Sequence, residues 1–236
     1  MSHTLRAFAI TLALALGACA QLGADAPLFT VADQAGAPPL TEGVWVSGEA
    51  DCPFDQIATL ERFPPGCTPF EVRRDADGAW LFLHRLDLAE EVTEADRLSA
   101  EAHPGPLRLI LAPAVERPIP ADSYAPLYLA ELDDEDDPGT RVLYLAIAPR
   151  GPLPATSLET FIAVSCDAAL RDGPIAGVTA VYEDSTGADG SPARNLRSCT
   201  ATTQAAVREA VRRAAIEDAS NHDRPDRFVF VRAISP

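Results

Sequence analysis

At 236 residues, 47% of them hydrophobic and 23% charged, the chain has the composition of an ordinary globular protein, outside the disordered, collagen-like and multi-span membrane classes. Its formal charge of −16, without a local basic cluster, repels phosphate backbones and excludes nucleic acid as a partner. All 19 basic residues are arginine; without lysine there is no Schiff-base enzyme, no P-loop and no lysine general base.

The chain opens with His3 and Arg6, an apolar run from Ala7 to Leu16 and then small residues, the layout of a secretory signal over residues 1–18. The run is about half the ~20 residues that cross a bilayer. Leu16-Gly17-Ala18-Cys19 resembles the lipobox of bacterial lipoproteins, a branched apolar residue and two small ones before the cysteine that receives the lipid. That resemblance implies a diacylglyceryl thioether at Cys19, cleavage before it and acylation of the new amino terminus. Two or more acyl chains anchor stably, each buried methylene contributing about 0.8 kcal/mol. The alternative is a secreted protein cut near Ala18 or Ala20, with Cys19 incidental. Ala20 stands where an inner-membrane lipoprotein often carries Asp, so the same resemblance implies an outer-membrane lipoprotein facing the periplasm.

Residues 19–42 follow as an expected lipid-proximal tether: Gln21 to Leu40 is rich in Ala, Gly, Pro and Asp, with one candidate short strand at Leu28-Phe29-Thr30-Val31. Residues 43–236 are expected to form a single globular domain. Apolar and β-branched runs bounded by Gly, Pro and Asp recur at 44–47, 69–73, 79–86, 107–111, 127–132, 141–147, 161–165, 178–182 and 228–233, and most read as strands. Asp75-Ala76-Asp77-Gly78 reads as a hairpin turn. Leu127-Tyr128-Leu129-Ala130 and Leu143-Tyr144-Leu145-Ala146 read as facing strands of a second hairpin with an acidic tip. A helix over 87–102 follows from an Asp87 N-cap with Glu90 three residues on, ending at His103-Pro104-Gly105-Pro106. Pro149 to Pro154 reads as a long loop within the domain. Residues 203–219 carry Ala206, Val207, Ala210, Val211, Ala214, Ala215 and Ile216 on one side and charges largely opposite, an amphipathic helix. The fold class predicted is α+β, mainly antiparallel β-sheet with a C-terminal amphipathic helix and two disulfides.

With Cys19 lipidated, Cys52, Cys67, Cys166 and Cys199 remain, an even number suited to an oxidising compartment. Three connectivities are possible. Local closure of the Pro-rich excursion by Cys52 and Cys67 is the simplest, and Cys166 with Cys199 then follows. A zinc site is disfavoured because no C-x2-C or C-x4-C spacing exists.

Neither H-E-x-x-H nor G-x-S-x-G occurs. After the signal only His84, His103 and His222 remain, each read in a structural or solvated role, with His84 on the polar face of its strand. Asp133-Asp134-Glu135-Asp136-Asp137 offers hard oxygen ligands for calcium, but the D-x-D-x-D-G spacing is missing, so it reads as a solvated tip protecting a hairpin from aggregation. Trp45, Trp80, Tyr124, Tyr128, Tyr144 and Tyr182 read as core or cross-strand aromatics before groove residues. Arg208, Arg212 and Arg213 read as partners of Glu209 and Glu217 at helical spacing.

The Cys-bracketed loop, Gly78-Ala79-Trp80, and Cys199 followed by Ala205-Ala206-Val207-Arg208-Glu209-Ala210 resemble uncharacterised envelope lipoproteins of Gram-negative bacteria. The reading is therefore a lipid-anchored periplasmic protein with a non-enzymatic binding or envelope-assembly role. It touches the membrane through its anchor, has a possible envelope protein partner, and needs no cofactor or metal. The alternatives are a hydrolase with a noncontiguous His/carboxylate site and a weak calcium-responsive module.

Overall fold

The computed structural model describes residues 20–48, 52–92, 94, 97, 106–114, 128–134, 142–150, 154–186, 192–221 and 226–234. Among these residues, eleven strands and two α-helices are defined from end to end, in the order β1 (Leu22–Ala24), β2 (Gly43–Gly48), β3 (Cys67–Arg74), β4 (Trp80–His84), β5 (Leu107–Pro113), β6 (Tyr128–Asp134), β7 (Val142–Arg150), β8 (Ser157–Ala163), α1 (Cys166–Leu170), β9 (Val178–Thr186), β10 (Pro192–Ala201), α2 (Gln204–Asn221) and β11 (Asp226–Arg232).

The strands from β2 to β8 pair consecutively and antiparallel. β11 then inserts between β8 and β2, and this closes the sheet on itself as an eight-stranded up-and-down barrel. The remaining strands hang from its side: β1 pairs with the start of β7, β10 pairs in parallel with β1, and β9 ends the sheet. The α+β class and its mainly antiparallel character hold, together with the two disulfides Cys52–Cys67 and Cys166–Cys199.

Period-two alternation sorts the side chains into an inside and an outside. Trp45, Phe70, Val72, Trp80, Phe82, Leu109 and Leu111 share one buried cluster with Leu158 and Phe228. These residues fill the barrel, whose interior is apolar, the reverse of the polar lumen of a membrane-spanning barrel. Among the described residues no helix is long and apolar enough to cross a membrane.

Two layers cover the outside. α2 lays Ala206, Val207, Ala210 and Val211 against Ile110, Ala112, Leu129 and Tyr144 on the outer faces of β5–β7. Small alanines let the helix approach closely, and the Thr203 hydroxyl caps it by accepting the Ala206 N–H at 3.2 Å. The 52–63 loop covers Val44, Val46 and Val231 with Ile57 and Phe63, closed by Cys52–Cys67. It starts against Gly48, where a Cβ would stand 2.5 Å from the Cβ of Cys52, so only glycine fits. At the 75–78 turn, Gly78 takes φ +96° and donates its N–H to the Asp75 carbonyl at 3.0 Å, as expected of that hairpin.

The 19–42 tether is corrected: its described residues, from Ala20 on, belong to the fold. β1 is fully buried, with Leu22 at 0% exposure, and Phe29 and Leu40 belong to the two main core clusters. Short, alanine- and glycine-rich segments carry little hydrophobic period, and it is tertiary pairing that orders this one. No strand forms at 28–31; instead Val31–Gln34 is a 3-10 turn. The helix expected from Asp87 does not start there either. Leu86–Leu88 makes one 3-10 turn, after which Ala89 is extended and bridges Phe63; most of 93–102 lies outside the described residues.

Candidate ligand cavity

One end of the barrel is plugged. The chain at 37–41 crosses it, burying Leu40 beside Trp45 and Ala155, and the Trp45 indole N–H donates to the Thr41 carbonyl at 2.7 Å. Trp80 closes the same end with the Arg74 guanidinium 4.2 Å from its ring centre; Arg74 is held by the Gly78 carbonyl at 2.7 Å. Tyr128 stands near this end, cross-strand from Pro113 and Ile147, and burial pushes its phenol above its ordinary pKa.

Beyond the plug lies a cavity of about 60 Å³. Its walls are Phe70 and Phe82 from β3 and β4, Leu107 and Leu109 from β5, Ala130 and Leu132 from β6, Leu145 and Ile147 from β7, Leu158 from β8 and Phe228 from β11. The register brings them together: Phe82 opposes Leu107, Leu109 opposes Leu132, and Ala130 opposes Leu145. Every lining residue is apolar, so nothing on the walls can hydrogen-bond water, and such a space favours an apolar occupant. The strand ends on this side lead into the connections at 49–66, 85–106, 135–141 and 222–225, much of which lies outside the described residues.

His84 is corrected. It pairs with Phe70 across β3 and β4, and its ring centre sits 4.7 Å from that of Phe70, on the inner and not the polar face of its strand. Arg85, next to it, donates to Asp87 at 2.8 Å and to Glu71 at 3.0 Å. The Arg85 guanidinium holds the Asp87 carboxyl below its usual value.

Among the described residues, the most buried carboxylate is on the outside of the barrel. Glu131, 1% exposed, accepts the backbone N–H of Leu28 at 2.7 Å, that of Phe29 at 3.1 Å and the Tyr144 hydroxyl at 3.0 Å. From the other side Gln204 of α2 donates to the Leu28 carbonyl at 2.8 Å, and Arg208 lies 5.0 Å from the Phe29 ring centre. The amino-terminal strap is thus clamped between barrel and helix on its way to the plug. Arg212 and Arg213 both pair with Glu209, as the helical spacing implied, and those bonds hold its carboxyl down at about 2.

Of the other residues singled out in the sequence, Trp45, Trp80 and Tyr144 are buried and Tyr182 is exposed. Cys19, His103, Tyr124, His222 and residues 135–137 of the acidic run lie outside the described residues, and Asp133 and Asp134 enter only as backbone at the end of β6. Among the described residues no three His, Cys, Asp or Glu side chains gather into a metal site. The cavity was missed from sequence because each wall residue reads only as one apolar position in one strand; the available signal was the alternation itself, repeated over enough strands to close a ring. No protein-family model, curated protein or solved structure matches this chain.

Proposed function

We propose that this chain is a lipid-anchored envelope protein that binds rather than transforms, and that its ligand carries a narrow apolar group held inside the barrel. The single observation that supports binding is the wholly apolar cavity on the barrel axis. Its volume selects the class of ligand: about 60 Å³ takes a few carbons of an unbranched alkyl chain and excludes a sterol or porphyrin. The plug at Trp45, Trp80 and Leu40 leaves the opposite end as the route of entry. Anchoring is supported by the lipobox at Cys19, which also carries the proposed periplasmic face of the outer membrane and the possibility of an envelope protein partner.

The test is a ligand series on the purified protein. Straight-chain alcohols and fatty acids of increasing length should raise the melting temperature and change the fluorescence of Trp45 and Trp80, with branched and polycyclic analogues inert. If no member of the linear series shifts either signal, the cavity is a packing gap and the binding reading is wrong.

A further inference from the structure

The inner surface of the barrel changes character where the cavity meets the open end. Read from the plug outward, the inward positions on β2 are Trp45 and then Ser47, on β3 Phe70 and then Thr68, and on β4 Phe82 and then His84, each pair two residues apart. The ladder puts these positions on one face. Ser47 opposes Thr68 and the wall residue Phe228, and His84 opposes the wall residue Phe70, with their ring centres 4.7 Å apart. Three neighbouring strands thus turn from aromatic to polar at the same end.

The change is confined to one side of the mouth. Across the barrel, half-buried Leu143 of β7 follows Leu145 inward and stands opposite Leu132, so that side stays apolar. A hydroxyl or imidazole on an inner face is costly unless something bonds to it, and a pattern set by packing alone puts aliphatic side chains at such positions. Ser47 is 4% exposed; the other buried polar or charged residue among those described is Glu131, whose bonds hold the strap. The polar groups come without an available cation. Arg85, beside His84 in sequence, is engaged by Asp87 at 2.8 Å and Glu71 at 3.0 Å, and the chain carries a net charge of −16. A carboxylate brought here meets a repulsive field, with Arg85 already neutralised.

We propose that the ligand held by its alkyl end in the cavity carries an uncharged head that both donates and accepts hydrogen bonds, a hydroxyl or a carboxamide, seated against Ser47, Thr68 and His84. The assignment rests on the reading of the cavity as a ligand site. Its chemistry is matched on both sides: each hydroxyl can donate and accept, and a neutral imidazole has one nitrogen of each kind. Leu143 and Leu132 face the first carbons of the chain from the opposite wall.

The test measures hexane, hexanol and hexanoate binding to the purified protein at pH 8, where the acid is ionised, against Thr68→Val and His84→Phe. Both substitutions keep shape, a β-branched side chain in one and a ring beside Phe70 in the other, and melting temperature reports whether each variant is folded. Hexanol should lose about fivefold in affinity in each variant, the weight of one hydrogen bond, while hexane binds all three proteins alike. Ser47→Ala, the smallest change, carries the same expectation where another variant fails to fold. Hexanoate should bind wild type at least tenfold more weakly than hexanol. Hexane and hexanol affinities that the variants leave unchanged, or change together, overturn the head site and leave the cavity standing. Hexanoate bound as tightly as hexanol overturns the uncharged head in favour of an anion. Wild type that binds none of the three removes the cavity reading and the head site with it.

Discussion

Glu131 shows how little of its role a residue's neighbours in sequence reveal. It stands two residues before Asp133-Asp134 and reads as one more carboxylate of an acidic hairpin, yet it is buried and takes its bonds from backbone over a hundred positions away. A buried acceptor that loses or half-loses such partners costs about 1–3 kcal/mol. Glu131→Gln puts an amide N–H2 against donors on at least one side, and should lower stability to urea by that amount. Tyr144→Phe removes one donor and should cost about 1 kcal/mol. A Glu131→Gln variant as stable as wild type would show that the strap is held by packing alone. Glu209 is the opposite case, since its arginine partners three and four residues on were legible. With its folded pKa near 2 against an ordinary 4.5, its contribution is present above about pH 5 and is lost as pH falls toward 2. The melting-temperature gap between wild type and Glu209→Gln should therefore be constant from pH 8 to 5 and close between 4.5 and 2; a gap that persists at pH 2 contradicts the ion pair as its source.

Elements with strong alternation or helical period were legible within a few residues: β2 to β7, β11 and α2 all lie on expected segments, the 75–78 turn is where local turn chemistry puts it, and the two similar runs at 127–130 and 143–146 do face each other as β6 and β7. The elements not foreseen share one physical property, that their conformation is decided elsewhere. β1 is only Leu-Gly-Ala, ordered by β7 and β10 and by the adjoining Gln21–Ser165 bridge, while β10 shows no apolar alternation because Arg194, Asn195 and Arg197 put exposed polar side chains on both of its faces. α1 is five residues long, capped by Ser165 and tied at Cys166 to β10. The Cys166–Cys199 disulfide thus welds together the region from which the amino terminus leaves. Its sequence separation of 33 against 15 for Cys52–Cys67 gives it the larger loop entropy, about 3.7 against about 3 kcal/mol. Double Cys→Ala variants of each pair should both unfold at lower urea, the 166/199 pair losing slightly more. Only that pair should also speed proteolysis of the 20–24 segment. Equal protease resistance at Ala20–Ala24 in the two variants would show that the strand ladder holds β1 without the disulfide.

Closure of the barrel is a property of the whole molecule, and no single strand announces it. It requires β11, separated from β8 by two helices and a hairpin, to return between β8 and β2, and the pattern of one strand says nothing of which edges meet. Closure removes the open edges of eight strands and makes their inner faces one enclosed surface, so side-chain volume on the axis becomes a quantity the protein can tune. Ala130, fully buried, is where this one is left short: a small residue on the wall of the cavity, opposite Leu145 and Leu111. Ala130→Val adds two carbons to a space of about 60 Å³ without requiring the strands to part. At about 0.8 kcal/mol per buried carbon the gain approaches 1.6 kcal/mol if the fit is free of strain. A protein that keeps such a gap for a ligand gives up stability for function. Ala130→Val should accordingly melt higher than wild type while the stabilisation by linear alkyl ligands falls at least tenfold in affinity. A variant that melts higher yet binds the linear series unchanged would place the ligand elsewhere, and one that melts lower would show the cavity walls to be already close-packed around that position.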